Sequence, residues 1–402
     1  MDSWSYTSRE LFFRHLGQTS PTPLGIEILK AKGVFLYGPN GKSYLDLVSG
    51  VSVSNVGHSN PEVTDAVVKQ AESHMHLMVY GEVIQNPQIE HAQLLTSLLP
   101  PSLQVVYYVN SGSEAAEAAL KLAKRYTGRR EIISCRNCYH GSTHGAISLM
   151  SDQEYKRAFR PLLPGISHIR FNSEEDLSMI TGRTACVIIE PVQGEAGVIL
   201  PSAGYLEKLR QRCNECGTLL IFDEIQTGFG RCGKLFALEK YKVIPDIVIF
   251  AKALGGGMPL GALVTSSEIM DCFKSNPSLG HITTFGGHPV SCAAALAALR
   301  ILLREDWIAR VEERSRRFSD SLSAHSMVKE IRASGLLLAV DLKNSEAAGL
   351  VIKMLPEEGV MSDGFLFCPT AFRIAPPLCI NDQEIDYALE RILKVLDRIF
   401  KG

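Results

Sequence analysis

Short unbroken apolar runs alternate with amphipathic stretches through the middle of the chain. The runs are Val105–Val109, Glu131–Ser134, His168–Phe171, Cys186–Ile189, Leu219–Phe222, Ile247–Phe250 and Gly261–Thr265. Strands buried on both faces need continuous Val/Ile-rich runs of this kind. Ser113–Tyr126 and Ala203–Cys216 between them carry helical periodicity. The alternation predicts an α/β fold with a mainly parallel seven-stranded sheet. Upstream, Val34–Tyr37 and Ser43–Leu45 flank Gly38-Pro39-Asn40-Gly41, the pattern of a β-hairpin turn. Downstream, helical patterns over Ala293–Arg304 and Asp306–Ser323 lead to the stretch Gly335–Leu342 and a helix near Ser345–Leu355. Short strands around Phe365–Cys368 and Phe372–Ala375 and a last helix, Asp382–Phe400, complete a smaller α+β unit. The expected organisation is an N-terminal segment, 1–59, packing with the small domain; a large domain, 60–290; and a small C-terminal domain, 291–402.

Composition narrows the classes. The 402 residues are 46% hydrophobic and 21% charged, which excludes a disordered chain. Lys+Arg number 41 against 43 Asp+Glu, so no basic excess argues for nucleic acid. Met1–Glu10 is polar, unlike a signal peptide. The run Ala293–Leu303 is broken by Arg300 and too short to span a bilayer. A soluble, cytoplasmic protein with reduced cysteines and no membrane partner is expected.

Several motifs carry less than they promise. Cys135/Cys138 and Cys213/Cys216 both read C-x-x-C, but the pairs lie too far apart for compact zinc-ribbon spacing, and no metal is expected. Gly41-Lys42-Ser43 lacks the first glycine of a P-loop, because Leu36 stands there. Gly228–Gly233 fits G-x-G-x-x-G, yet Asp223–Thr227 separates it from the preceding strand. His74-Met75-His76 reads as solvated helix surface rather than a metal site.

The ends of the apolar runs carry more, since ligands of parallel sheets bind beyond the strands' carboxyl ends. After Val105–Val109 comes Asn110-Ser111-Gly112-Ser113, opening a helix. That is either a phosphate-binding turn or a plain cap at Ser113. After Leu219–Phe222 comes Asp223, either a loop acid or a carboxylate facing a cation. After Ile247–Phe250 comes Lys252, with Gly255-Gly256-Gly257 behind it, either a surface residue or a nucleophile. Asp223 and Lys252 are about one strand–helix–strand crossover apart, so they can share a sheet edge. An anion cradle, an Asp and a Lys together match pyridoxal 5′-phosphate: its phosphate, its ring nitrogen and an aldehyde that takes a lysine Schiff base.

On these residues the sequence resembles the class III (subgroup II) aminotransferases, the family of acetylornithine, ornithine, 4-aminobutyrate and ω-amino acid aminotransferases. The matching stretches are Gly50–His58, Asn110–Ala119, Tyr139–Gly141, Glu190–Val198, Phe222–Gly230, Asp246–Gly261, Thr284–Pro289 and Phe372–Leu378, in order along nearly the whole chain. The resemblance implies pyridoxal-phosphate fold type I and a ping-pong amino transfer from an amino acid or ω-amine to a 2-oxo acid. It implies Lys252 as the Schiff-base lysine and Asp223 on the ring nitrogen. It places Gln226 near the ring's phenolic oxygen, Tyr139 stacked on the ring, and Gly112 and Ser113 at the phosphate. Thr284 would reach the phosphate from the partner subunit, making a homodimer the functional unit. Arg373 would grip a substrate carboxylate, and Glu195 would pair with that arginine.

One position departs from the pattern. Where the acetylornithine, ornithine and 4-aminobutyrate types usually carry an arginine after His-Gly, this chain has Ser142. A hydroxyl cannot replace a guanidinium fork for the second carboxylate of 2-oxoglutarate, which favours pyruvate as a competent acceptor. The alternatives are a decarboxylase or aminomutase on the same fold. More distant ones are an NAD-linked oxidoreductase resting on Gly228–Gly233 and a zinc-binding module resting on the two C-x-x-C pairs.

Overall fold

The structure is a computed structural model and describes residues 6–401; the first five residues of the polar stretch Met1–Glu10 lie outside it. β1 (Lys30–Lys32), β2 (Phe35–Tyr37) and β3 (Ser43–Asp46) form an antiparallel meander, with the turn Pro39–Gly41 joining β2 to β3. Proline presets the turn's φ, and Gly41 takes the left-handed φ of +75° that it needs.

The central strands are β4 (Val105–Val109), β5 (Glu131–Cys135), β6 (Ile166–Ile169), β7 (Thr184–Ile189), β8 (Leu219–Asp223), β9 (Ile247–Phe250) and β10 (Gly261–Thr265). They form a seven-stranded sheet in the order β4-β10-β9-β8-β7-β5-β6. All neighbours are parallel except β10, which runs antiparallel to both β4 and β9. The side chains of β7, β8 and β9 are buried on both faces, as their continuous apolar runs require.

The strand expected at His168–Phe171 lies earlier, at Ile166–Ile169. The Arg170 N–H donates to Asp176 Oδ2 at 2.7 Å, which takes it out of the ladder.

After the helix Pro289–Arg304, which packs on the helix Pro61–Ser73, the chain builds a smaller sheet. β11 (Val328–Ala333), β12 (Leu338–Leu342) and a later strand, β14 (Ala371–Ile374), are antiparallel in the order β11-β12-β14. Between them β13 (Val360–Met361) pairs in parallel with β3, so the N-terminal meander is completed by the C-terminal part of the chain. The pattern did not predict β11. The predicted strand at Phe365–Cys368 is irregular instead, because the backbone N–H groups of Leu366 and Phe367 donate to Glu195 Oε2 and Glu195 O, at 3.2 and 3.0 Å.

Buried Arg231 joins these parts. It donates to Leu336 O, Pro376 O, Asn55 Oδ1 and Ser49 Oγ, and so fills the glycine motif 228–233 with a structural guanidinium. Among the described residues no helix is long and apolar enough to cross a membrane. Among them also, no three His, Cys, Asp or Glu side chains are grouped to hold a metal.

Candidate active site

The register of β8 on β9 sets the site. Asp223, the last residue of β8, lies level with Ile249, and Lys252 follows two residues after β9 ends. Both therefore project beyond the same edge of neighbouring parallel strands. A cavity of about 520 Å³ opens there, lined by Lys252, Asp223, Tyr139, Gln226, Glu195, Gly112 and Ser113 among others. All seven were predicted site residues. Arg373 and Thr284 do not line the cavity.

One wall is the N-terminus of the helix Gly112–Thr127. Ser111 caps it, its Oγ accepting from Glu114 N at 3.2 Å, and Gly128 closes the other end at φ +67°. The cap is thus two residues earlier than the predicted alternative at Ser113. The helix buries Ala115, Ala116, Ala118, Ala119 and Ala123, small side chains that allow close approach to the sheet. Its first N–H groups face the cavity with the positive end of the helix dipole behind them. Gly112 keeps that approach open: a Cβ there would stand 2.7 Å from Ile225 Cδ1 and 3.4 Å from Ala251 Cβ.

Asp223 is held from two sides. Its Oδ1 accepts from Ile225 N at 3.0 Å, and its Oδ2 meets His140 Nδ1 at 2.6 Å. Burial works against a charged His140, but Cys138 beside it and the Asp223 carboxylate override burial and raise its pKa well above the ordinary imidazole value. Behind them Glu190 accepts from Tyr139 N and Gly194 N, at 3.0 and 2.9 Å, and burial pushes its carboxyl up to about 7. Lys252 takes the left-handed backbone at φ +51°, a conformation rare for a lysine and common where a site demands it. Burial pushes its amine below the ordinary lysine range, Glu195 pulls it back up, and Arg373 adds to the lowering.

Gln226 points a buried Nε2 with no partner into this space, and His140 Nε2 is likewise unpartnered. Tyr139 OH lies 3.2 Å from Ser142 Oγ, and Ser142 N donates to Ser113 Oγ at 3.3 Å. Ser142 is exposed and outside the cavity wall. Arg373, on β14, lies behind Glu195: its Nη2 donates to Glu195 Oε1 at 2.8 Å. Thr284 is exposed, on the segment before the helix Pro289–Arg304. His76 is not helix surface. The helix Pro61–Ser73 ends before it, and its ring stacks on His288 with centroids 5.4 Å apart.

Sequence reasoning missed Glu190 as a buried neighbour of Asp223, Asp363 beside Arg373, and the apolar wall residues Val53 and Val192. Glu190 had a signal, since it directly follows β7; Asp363 and the valines had none.

The family model described as Aminotransferase class-III matches residues 17–396. The acetylornithine aminotransferase of Methanopyrus kandleri is 37% identical over 394 residues, covering 97% of this chain and 98% of that one. The crystal structure of the ornithine aminotransferase of Toxoplasma gondii superposes with a TM-score of 0.91 at 31% identity, covering 99% of this chain and 97% of that one. A second structure of the Toxoplasma gondii enzyme, with partial occupancy of PLP at its active site, gives 0.89 at 32% identity, covering 98% and 94%.

Proposed function

Because this chain belongs to the class-III aminotransferases, pyridoxal-phosphate enzymes that move amino groups between amino acids and 2-oxo acids, we propose that Lys252 and Asp223 carry out that transfer from the ends of β9 and β8. The observation that carries this reading is their meeting in one cavity with the N-terminus of the helix Gly112–Thr127. The residues present suit the cofactor. The helix N–H groups at Gly112 and Ser113 would hold its phosphate, and a Cβ at Gly112 would press on the cavity-lining Ile225 at 2.7 Å. Asp223, fixed by His140 and Ile225, would hold a protonated ring nitrogen. The unpartnered Gln226 Nε2 supplies a donor for the ring's oxygen, and the Tyr139 ring a face to stack on. When bound, the cofactor supplies an aldehyde for amine exchange and a ring that takes up the electron pair left on the substrate carbon.

Lys252 Nζ is the proton carrier. Its lowered pKa leaves more of the amine free to act as base near neutral pH. It takes the proton from the donor carbon as general base and delivers it as general acid. Asp223 would face the ring nitrogen from the end of β8. Arg373 grips the substrate carboxylate through its planar fork, and Glu195 covers the arginine in the absence of that carboxylate.

The similarity to acetylornithine and ornithine aminotransferases supports a donor with a terminal amine. On the acceptor side Ser142 offers no cation, and neither it nor Arg136 lines the cavity. A second carboxylate left desolvated and unpaired costs several kcal/mol, which supports pyruvate as a competent acceptor. The functional unit is a homodimer in which Thr284 reaches the partner's phosphate. The exposed Ile282 and Phe285 around Thr284 support a covered surface there. We read 60–290 as the unit that holds the cofactor and 291–402 as the unit that brings Arg373. Residues 1–59 pack on the latter through the pairing of β3 with β13. A cytoplasmic setting accords with ten cysteines, all free.

Comparing kcat/KM for pyruvate and 2-oxoglutarate with the aminated holoenzyme tests the acceptor. Pyruvate should at least equal 2-oxoglutarate. A preference for 2-oxoglutarate above about tenfold, worth about 1.4 kcal/mol, overturns the reading of Ser142.

A further inference from the structure

We propose that Asp363 is a second carboxylate cap on Arg373, a specificity-determining residue that with Glu195 closes the arginine to substrate carboxylates. The proposal rests on the reading of Arg373 as the carboxylate grip. Arg373 is 1% exposed. Both hydrogens of its Nη2 are used, one by Glu195 Oε1 at 2.8 Å and one by Gly364 O at 3.0 Å. Asp363 Oδ1 stands 3.0 Å from Nε, off the N–H direction, so neither atom gains a hydrogen bond from the other. Phe365 covers one face of the guanidinium, its ring centroid 4.5 Å from the central carbon. Nη1, like Nε, is buried and without a hydrogen-bond partner.

A carboxylate binds arginine bidentately through Nε with Nη2, or through Nη1 with Nη2. Glu195 and Gly364 O together occupy both hydrogens of Nη2, which the two edges share, and Asp363 stands on Nε of the first. Swinging Glu195 away opens the Nη1–Nη2 edge but leaves Asp363 in place. The arriving carboxylate then shares one positive charge with a resident negative one. Without the Asp363 charge the substrate pair would be neutral. The second cap therefore weakens the hold on any carboxylate borne by the reacting carbon, the 2-oxo acid acceptor's included, and spares terminal amines, whose reacting carbon has none.

Asp363 can also open by protonation. Burial pushes its carboxyl up to about 6, against the pull of Arg373 and Lys252 and with the push of Glu195 and Asp46. These charged groups face it from β14, from the segment after β9, from the loop after β7 and from β3. Below about pH 6 the proton removes its charge, and carboxylates should bind Arg373 more readily.

The test is binding of propionate, a carboxylate without an amine, to the holoenzyme, followed by calorimetry at pH 8 and pH 5.5. Asp363→Asn should bind propionate at least about tenfold more tightly than wild type at pH 8. Wild type should gain affinity on passing to pH 5.5, Glu195→Gln should keep that gain, and Asp363→Asn should lose it. Equal or weaker binding by Asp363→Asn at pH 8, or a wild type without the acid gain, overturns the proposal. Arg373→Gln separates the two layers: if it binds propionate as well as wild type and Asp363→Asn do, the arginine reading itself fails. If it loses binding while Asp363→Asn behaves as wild type, only the second cap fails.

Discussion

Asp223→Asn removes one negative charge and almost no volume. The carboxylate is 4% exposed and serves two donors, His140 Nδ1 at 2.6 Å and Ile225 N at 3.0 Å. An asparagine has one acceptor oxygen, so its amide N must turn toward one of these groups. Ile225 N–H cannot accept, whereas His140 can exchange tautomers and accept at Nδ1. The variant should therefore keep its fold while losing a charge-assisted bond, a cost of about 1.5–3 kcal/mol of stability. The catalytic loss is separate. Removing one preorganised charge or donor from a water-excluded site costs about 10²–10³ in rate, roughly 3–4 kcal/mol of barrier. Single-turnover half-reactions, read by cofactor absorbance in a stopped-flow instrument, isolate that step from binding and product release. We expect a loss of about 10²-fold or more with cofactor still bound. A variant within about threefold of wild type would show that another residue faces the ring nitrogen, and would refute the assignment of Asp223.

Two further perturbations test the frame of the site. Gly112→Ala places a methyl 2.7 Å from Ile225 Cδ1, so the wall must shift at the phosphate cradle. Cofactor affinity, titrated by absorbance, should fall at least about tenfold with little change in thermal stability, and an unchanged affinity would move the phosphate elsewhere. Thr284→Ala should weaken cofactor affinity while sedimentation still shows dimers, and a fully active monomer at assay concentration would remove its role across the subunit boundary.

Much of the frame was legible because local pattern and global environment agree. The runs of β4, β9 and β10 match their strands end to end, and for the buried β9 and β10 this is because unbroken apolar segments belong in a sheet interior. Asp223 and Lys252 could be read as one site from strand ends and crossover length alone. What escaped was decided at long range. β11 (Val-Lys-Glu-Ile-Arg-Ala) mixes charged and apolar residues without strict alternation and is held by β12, with nothing local to mark it. The stretch 365–368 is apolar enough for a strand, but Glu195, far away in sequence, takes its N–H groups. Arg231 sits inside a glycine pattern that suggests a nucleotide loop, and its four acceptors come from three distant segments. Asp363 is an ordinary acid in the sequence and becomes informative only when β14 brings Arg373 beside it.

The central claim is that Lys252 is the amine that meets the cofactor's aldehyde. Borohydride reduction of the holoenzyme, followed by proteolysis and mass spectrometry, locates that amine directly. The account predicts the pyridoxyl group on the peptide containing Lys252, and no label at that site in Lys252→Ala. A pyridoxyl group on any other lysine of the wild-type protein contradicts it.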